Sequence, residues 1–154
     1  MLGSVITQPP RTPAEWTAYY QLRYAVLRQP WQQSPGSERT PADEEPNTIH
    51  ALVLAPAEAN EPPVALAVGM LQPTTAHQGQ IRFMAVAPDA AGTGLGRQVV
   101  EYLETQARTV GLTEIVLHAR EAAVGFYQRL GYAVVAPSHT LFGVIPHFLM
   151  QKQL

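Results

Sequence analysis

The sequence predicts a mixed α+β fold. It reads as a single domain on a central mixed, largely antiparallel sheet of about six to seven strands, with helices on both faces. Three observations predict it. Apolar, β-branched stretches such as IHALVLA (49–55) and TEIVLHA (113–119) alternate with segments of helical period. The strands at 49–55, 62–72 and 79–88 follow one another through short links, so neighbours pair antiparallel. The 154 residues contain no internal repeat, low-complexity tract or composition break, so 1–154 forms one domain.

Each element has its own local reason. Val5, Ile6 and Thr7 read as a short first strand. In TPAEW (12–16), Thr12 suits a helix cap, Pro13 the first helical position and Glu15 a capping box. The helix that follows places Trp16, Tyr19, Tyr20, Leu22, Val26 and Leu27 on its apolar face and ends before Pro30. Residues 29–48 carry proline, glycine and charges without an apolar period. They read as a long loop with one helical turn around Gln32, and Glu38, Asp43, Glu44 and Glu45 as a solvated acidic cluster able to attract a cationic amine. Arg23 and Arg28 are expected to pair with carboxylates at the surface or to support that loop.

After the three-strand meander, Leu95, Val99, Leu103, Ala107 and Val110 recur at helical spacing, and Gly111 stops the helix. A strand at 113–119 precedes a short helix at 120–130, closed by Gly131. Strands at 132–136 and 142–152 complete the chain. Pro146 lies inside the last one and argues for an edge or a bulge.

Composition excludes several classes. Lys+Arg total 10 against Asp+Glu 12, a net charge of -2, so no basic excess is available for nucleic acid. No apolar run approaches membrane-spanning length, and MLGSVITQPP is too short and polar for a signal peptide. Cys is 0, which removes disulfides and a cysteine nucleophile. A cytoplasmic protein, monomeric or homodimeric, is expected. The histidines His50, His77, His118, His139 and His147 contain no helical i,i+3 or i,i+4 pair, so no metal site is expected. His147, on a bulged strand, is the one singled out as a base or acceptor contact.

The chemistry-bearing stretch is AAGTGLGRQ (90–98). It lacks the lysine of a phosphate-binding P-loop, and the dinucleotide pattern G-x-G-x-x-G fails at Arg97 or Val99. Its physics survives those exclusions. The loop follows a strand and opens a helix, whose first N–H groups are unpaired and carry the positive dipole end. Gly92, Gly94 and Gly96 let a ligand approach the backbone, and Arg97 adds a cation. The combination suits an anion such as a pyrophosphate. A plain connecting turn fits the loop taken alone.

The ordered series IRFMAVAPDAAGTGLGRQVVEYLETQA, an apolar strand, then AREAAVGFYQRLGY resembles the GNAT superfamily of acyl-CoA-dependent N-acyltransferases. The family's acyl-CoA motif, Q/R-x-x-G-x-G/A after a strand ending V-x-P, corresponds to Val86-Ala87-Pro88 followed by Ala91-Gly92-Thr93-Gly94-Leu95-Gly96. Its A-x-x-F-Y-x-x-x-G-[FY] motif corresponds to Ala123, Phe126, Tyr127, Gly131 and Tyr132. LRYAVLRQP (22–30) and IPHF (145–148) are similar to a bacterial, ElaA-like subgroup. The resemblance covers nearly the whole chain, with residues 29–78 matching more loosely.

The resemblance implies transfer of an acetyl group from acetyl-CoA to a primary amine, small-molecule or peptide, without a metal. It implies Tyr127 as general acid and the backbone of Met84, Ala85 and Val86 as the thioester strand, with Val86 holding the oxyanion. It implies that Ala91, Gly92, Thr93, Gly94, Leu95, Gly96, Arg97, Arg120 and Phe126 meet CoA. Two letters depart from the pattern. Ala91 replaces the motif's Q/R, which shifts anion binding onto backbone amides, and Arg120 replaces a frequent asparagine. A non-catalytic acyl-CoA binding module is the other reading.

Overall fold

The computed structural model describes residues 5–154. Its strands are β1 (Thr7–Gln8), β2 (Ile49–Leu54), β3 (Ala65–Pro73), β4 (Gln78–Val86), β5 (Glu114–Arg120), β6 (Ala133–Leu141) and β7 (Ile145–Gln153). Its helices are α1 (Pro13–Leu27), α2 (Leu95–Thr109) and α3 (Val124–Arg129). The strands form one seven-stranded sheet in the order β1-β2-β3-β4-β5-β7-β6. Only the β4–β5 pair is parallel, so the sheet is mixed and largely antiparallel, as the short links require.

Side-chain alternation along the strands separates two cores. Leu52, Val68 and Ala85 pack with Ala18, Tyr19 and Leu22 of α1 on one face. Ala51, Val53, Ala67, Leu71 and Ile81 pack with α2 and with Tyr127 and Tyr132 on the other. Helices therefore cover both faces. The α2 stripe is Leu95, Val99, Val100, Leu103 and Ala107; Val110, expected to extend it, is 58% exposed because it caps the helix end. Glu104, also on α2, is buried. It accepts from Tyr132 Oη at 2.8 Å and from Lys152 Nζ at 3.1 Å, which ties α2 to β7.

The local signals act with small shifts. Thr12 Oγ1 accepts from Glu15 N–H at 3.1 Å, with Pro13 in the first turn. The Glu15 carboxylate closes one residue earlier than expected, on Arg11 N–H at 2.9 Å. The first strand pairs through Thr7 and Gln8 rather than 5–7. Pro146 does not lie on an edge strand: β7 runs between β5 and β6. Pro146 pairs with Thr140 beside the register shift between Pro137 and Thr140, so the bulge accommodates it.

Candidate active site

The parallel ladder between β4 and β5 runs only from Gln78 and Glu114 to Ile81 and Leu117. Both strands continue, to Val86 and to Arg120, without pairing to each other. They part and leave a cleft with two lobes, which share Met84, Arg120, Ala123 and Tyr127.

A bulge in β4 marks the divide. Val68 pairs with Ala85 and Met70 with Arg82, so Gly69 alone opposes Phe83 and Met84. Phe83 sits in the left-handed region at φ 56, which a bulky residue adopts only when its surroundings hold it there. The Arg23 guanidinium lies 4.2 Å over its ring. Gly69 is required by packing: a Cβ there would lie 2.5 Å from Met84 Sδ and 2.8 Å from Val99 Cγ1.

The first lobe encloses about 520 Å³ between residues 84–86, the glycine loop and Phe126. Ala87 N–H donates across to Leu66 O at 2.8 Å. Alternation along the strand turns the Val86 N–H to the opposite edge, toward the gap that β5 leaves. At the start of α2, Gln98 N–H is the first to find a backbone acceptor, Gly94 O at 3.0 Å. The N–H groups of Leu95, Gly96 and Arg97 have no partner among the described residues. Gly92 and Gly94 adopt φ 76 and φ 86, and no atom lies within 4 Å of where their Cβ would be, so the backbone there is open to a ligand. Gly96 packs under Phe126, whose ring would stand 3.2 Å from an added Cβ.

The side chains around this cradle contribute less. Thr93 donates its hydroxyl back to Ala90 O, and Ala91 is exposed with its N–H donated to Pro88 O at 3.2 Å. Arg97 lines the lobe but is engaged by Glu101 one turn on. It is a cation paired at the surface rather than a free one. Arg120, at the end of β5, faces both lobes.

The second lobe encloses about 320 Å³. His147 is buried on β7, and one ring nitrogen, Nδ1, lies 2.9 Å from Ile145 O. A carbonyl only accepts, so Nδ1 carries the hydrogen and Nε2 keeps a lone pair. Burial lowers the His147 pKa, and His139 and Arg120 lower it further against that hydrogen bond. His139 stacks on His147 with centroids 4.6 Å apart, and His118 lies 5.4 Å from His139. Ser138 Oγ links the last two, at 2.5 Å from His118 Nδ1 and 3.0 Å from His139 Nδ1. Among the described residues no group of three or more His, Cys, Asp or Glu is placed to hold a metal ion.

Tyr127 stands between the lobes on α3. It is 7% exposed, and its hydroxyl makes no hydrogen bond among the described residues. Burial pushes its phenol above the ordinary tyrosine range, with Arg120 pulling the other way. Tyr127 N–H and O are the ordinary helix groups, since Tyr127 O accepts from Leu130 and Tyr132 N–H at 3.0 Å.

The acidic loop divides: Glu44 and Glu45 are exposed, as expected of a solvated cluster, and the other two are not. Asp43 and Glu38 are buried, and neither lines the cleft. Arg23, fully buried, donates from Nη1 to both Asp43 oxygens at 3.1 and 2.9 Å and from Nη2 to Tyr19 Oη at 2.9 Å. His50 Nε2 donates to Asp43 O at 3.1 Å, so His50 Nδ1 accepts from Tyr19 Oη at 2.7 Å. This network anchors residues 38–44 to the sheet and supports the bulge from beneath. Sequence reasoning missed it, together with Phe83, Arg82 and the His118–His139 neighbours. The alternation of Arg23 with Tyr19 and Tyr20 on one helix face was the available signal.

The comparisons with known proteins agree with this geometry. The family model described as the acetyltransferase (GNAT) family matches residues 16–132. A Bacillus subtilis protein named as an acetyltransferase is 35% identical over 77 residues, 50% of this chain and 52% of that protein. The chain thus spans about half the length of the curated relatives it matches first. The crystal structure of an N-acetyltransferase from Lactobacillus plantarum superposes with a TM-score of 0.78 at 24% identity, covering 98% of this chain and 97% of that one. Escherichia coli ElaA superposes with a TM-score of 0.75 at 19% identity over 97% of this chain and 99% of its own, a likeness of fold.

Proposed function

The chain belongs to the GNAT acetyltransferase family, and from that premise we propose that it transfers an acetyl group from acetyl-CoA to a primary amine. The observation that carries this reading is the cleft itself. A row of amides at the start of α2 and one tyrosine hydroxyl, all without a partner among the described residues, line the same lobe. The amides of Leu95, Gly96 and Arg97 suit a pyrophosphate, because the helix dipole and the orphan donors act together. With Ala91 at the motif's first position, the backbone carries this binding, and Arg97 and Arg120 add positive charge at either side.

The residues divide the chemistry between them. The amine nitrogen attacks the thioester carbon, and the C–N bond forms as the carbonyl π electrons move to oxygen. Val86 N–H donates to that oxyanion; one such donor contributes roughly 3 kcal/mol. The C–S bond then breaks, and the thiolate takes its proton from Tyr127 Oη. A buried phenol is a weaker acid than a free one, but the same dry surroundings raise the thiolate's proton affinity as well. His147 Nε2 receives the proton that the amine gives up. An ordinary alkylamine has a pKa near 10.4, so only about one molecule in a thousand is neutral at pH 7, and a neutral histidine beside it is useful. Among subgroups, IPHF around His147 supports the ElaA-like branch.

Calorimetry with acetyl-CoA, followed by thiol release in the presence of amines, tests the reading. Saturable binding is expected, with a Kd at least about tenfold weaker in Gly94→Asp, which puts an anion at the amide cradle. No binding by the parent protein would overturn it. Binding without turnover across a broad amine panel would instead make the protein an acyl-CoA binding module.

A further inference from the structure

Among the described residues, the acceptor-side lobe is lined by cations and by no carboxylate. Arg28, Arg82 and Arg120 line it beside the three histidines. None of these arginines forms an ion pair: the pairs among the described residues use Arg23, Arg39, Arg97 and Lys152. Arg28 donates Nε to Ser37 O at 3.1 Å and Nη1 to Leu27 O at 2.9 Å, which leaves Nη2 without a hydrogen bond among the described residues. Arg82 donates Nη1 to Gln72 Oε1 at 3.2 Å, a neutral partner.

The two guanidiniums lie near one ring. Arg82 stands 5.0 Å and Arg28 5.5 Å from the Phe83 centroid. The strained bulge thus gathers like charges at the mouth of a half-buried lobe. Burial lowers the pKa of each, and Arg23 lowers both further. Asp43 acts on Arg82 and Glu38 on Arg28, but Arg23 holds both Asp43 oxygens, and Glu38 pairs with Arg39 and accepts from Gly36 N–H. Both acids are engaged elsewhere, and among the described residues no acid lines the lobe beside Arg28 and Arg82. Leu27 and Trp31 provide an apolar wall, and about 320 Å³ is at the small end of ligand sites.

We propose that the acceptor is a small primary amine carrying a carboxylate, which Arg28 and Arg82 bind while the amino group faces His147. The proposal rests on the acyl-transfer reading above and names its substrate class. Guanidinium forks match carboxylate geometry, and the pairing is strong in a partly dry site. A polycationic amine finds no partner in this lobe. The balance of the reaction is unchanged: the carboxylate only binds, and the amine alone reacts.

A matched panel tests this. Free L-amino acids, their methyl esters and the corresponding decarboxylated amines are offered with acetyl-CoA to the parent chain, Arg28→Gln and Arg82→Gln. The free acids are expected to exceed their methyl esters in kcat/KM by at least about tenfold. Arg82→Gln and Arg28→Gln should each raise KM for the acid severalfold, with KM for acetyl-CoA unchanged. Methyl esters or decarboxylated amines turned over as well as the acids, or failure of every free amino acid, overturns the proposal. So does a preference that survives in both variants. Calorimetry on the same preparations separates the failures. Acetyl-CoA binding with turnover confined to amines lacking a carboxylate removes the anionic acceptor alone. Absent acetyl-CoA binding removes the acyl-transfer reading itself.

Discussion

The two lobes of the cleft are built by opposite means. The first lobe, proposed above to hold acetyl-CoA, is mostly backbone, taken from residues 84–97 with Phe126 and Tyr127 closing it. The acceptor lobe is mostly side chains, brought together from α1, β4, β5, β6 and β7. Backbone amides at a helix start bind an anion whatever side chains surround them. Charged and imidazole side chains bind one kind of partner and reject another. The difference is what the proposed reaction requires, a shared co-substrate on one side and a particular acceptor on the other.

The strongest way to break this division is through its buried support. Asp43→Ala leaves Arg23 buried without its partner, which costs about 3–5 kcal/mol of stability, read by denaturant unfolding. In the fraction that stays folded, acetyl-CoA binding should persist while turnover falls. Equal loss of both would erase the distinction between the lobes. Tyr127→Phe comes next. It should lower kcat about 100-fold and leave Kd for acetyl-CoA unchanged, since the hydroxyl acts where the lobes meet. Gly69→Ala pushes a methyl onto Met84 and Val99 and should cost about 1–3 kcal/mol in unfolding experiments, with the bulge shifting beneath both lobes.

The smallest effect is on pH. As the proposed base His147 acts in its neutral form, and its pKa lies below the ordinary value of about 6.5. Its neighbours are His139 of β6 and Arg120 of β5, both of which oppose protonation. The acid limb of kcat/KM should therefore fall below pH 6.5, and His147→Gln should remove it. His50 shifts the same way, chiefly by burial. The unfolded chain then binds more protons than the folded one between the lowered values and about 6.5. Stability should be fully present above that window and be lost as pH falls through it, by at most about 1.4 kcal/mol per pH unit for each histidine. An acid-independent midpoint in urea would contradict this.

The sequence was informative where structure is local. Helix starts, the glycine loop and the F-Y-x-x-x-G-Y segment depend on neighbours in the chain, so their spacing reveals them, and the sheet class followed from link lengths. The acceptor lobe depends on β7 lying between β5 and β6, which sets His147 against His139 and Arg120 across strands. No periodicity encodes that juxtaposition. Arg23 and Asp43 misled for a different reason. Charged residues are ordinarily solvated, and their mutual pairing, with Tyr19 Oη and Glu38 O accepting from the terminal nitrogens, offsets burial of both, while Arg23 Nε has no partner among the described residues. The left-handed residue of the bulge, Phe83, lies one residue before the segment Met84 to Val86 expected to hold the thioester, and no periodicity marked it.

A crystal structure with acetyl-CoA tests the central claim most directly. The account predicts the pyrophosphate against the N–H groups of residues 95–97, the thioester oxygen at Val86 N–H, and the sulfur within hydrogen-bond reach of Tyr127 Oη. The acetyl group would point into the lobe lined by His147, Arg28 and Arg82. A thioester directed away from Tyr127, or CoA bound outside the cleft between β4 and β5, would contradict it.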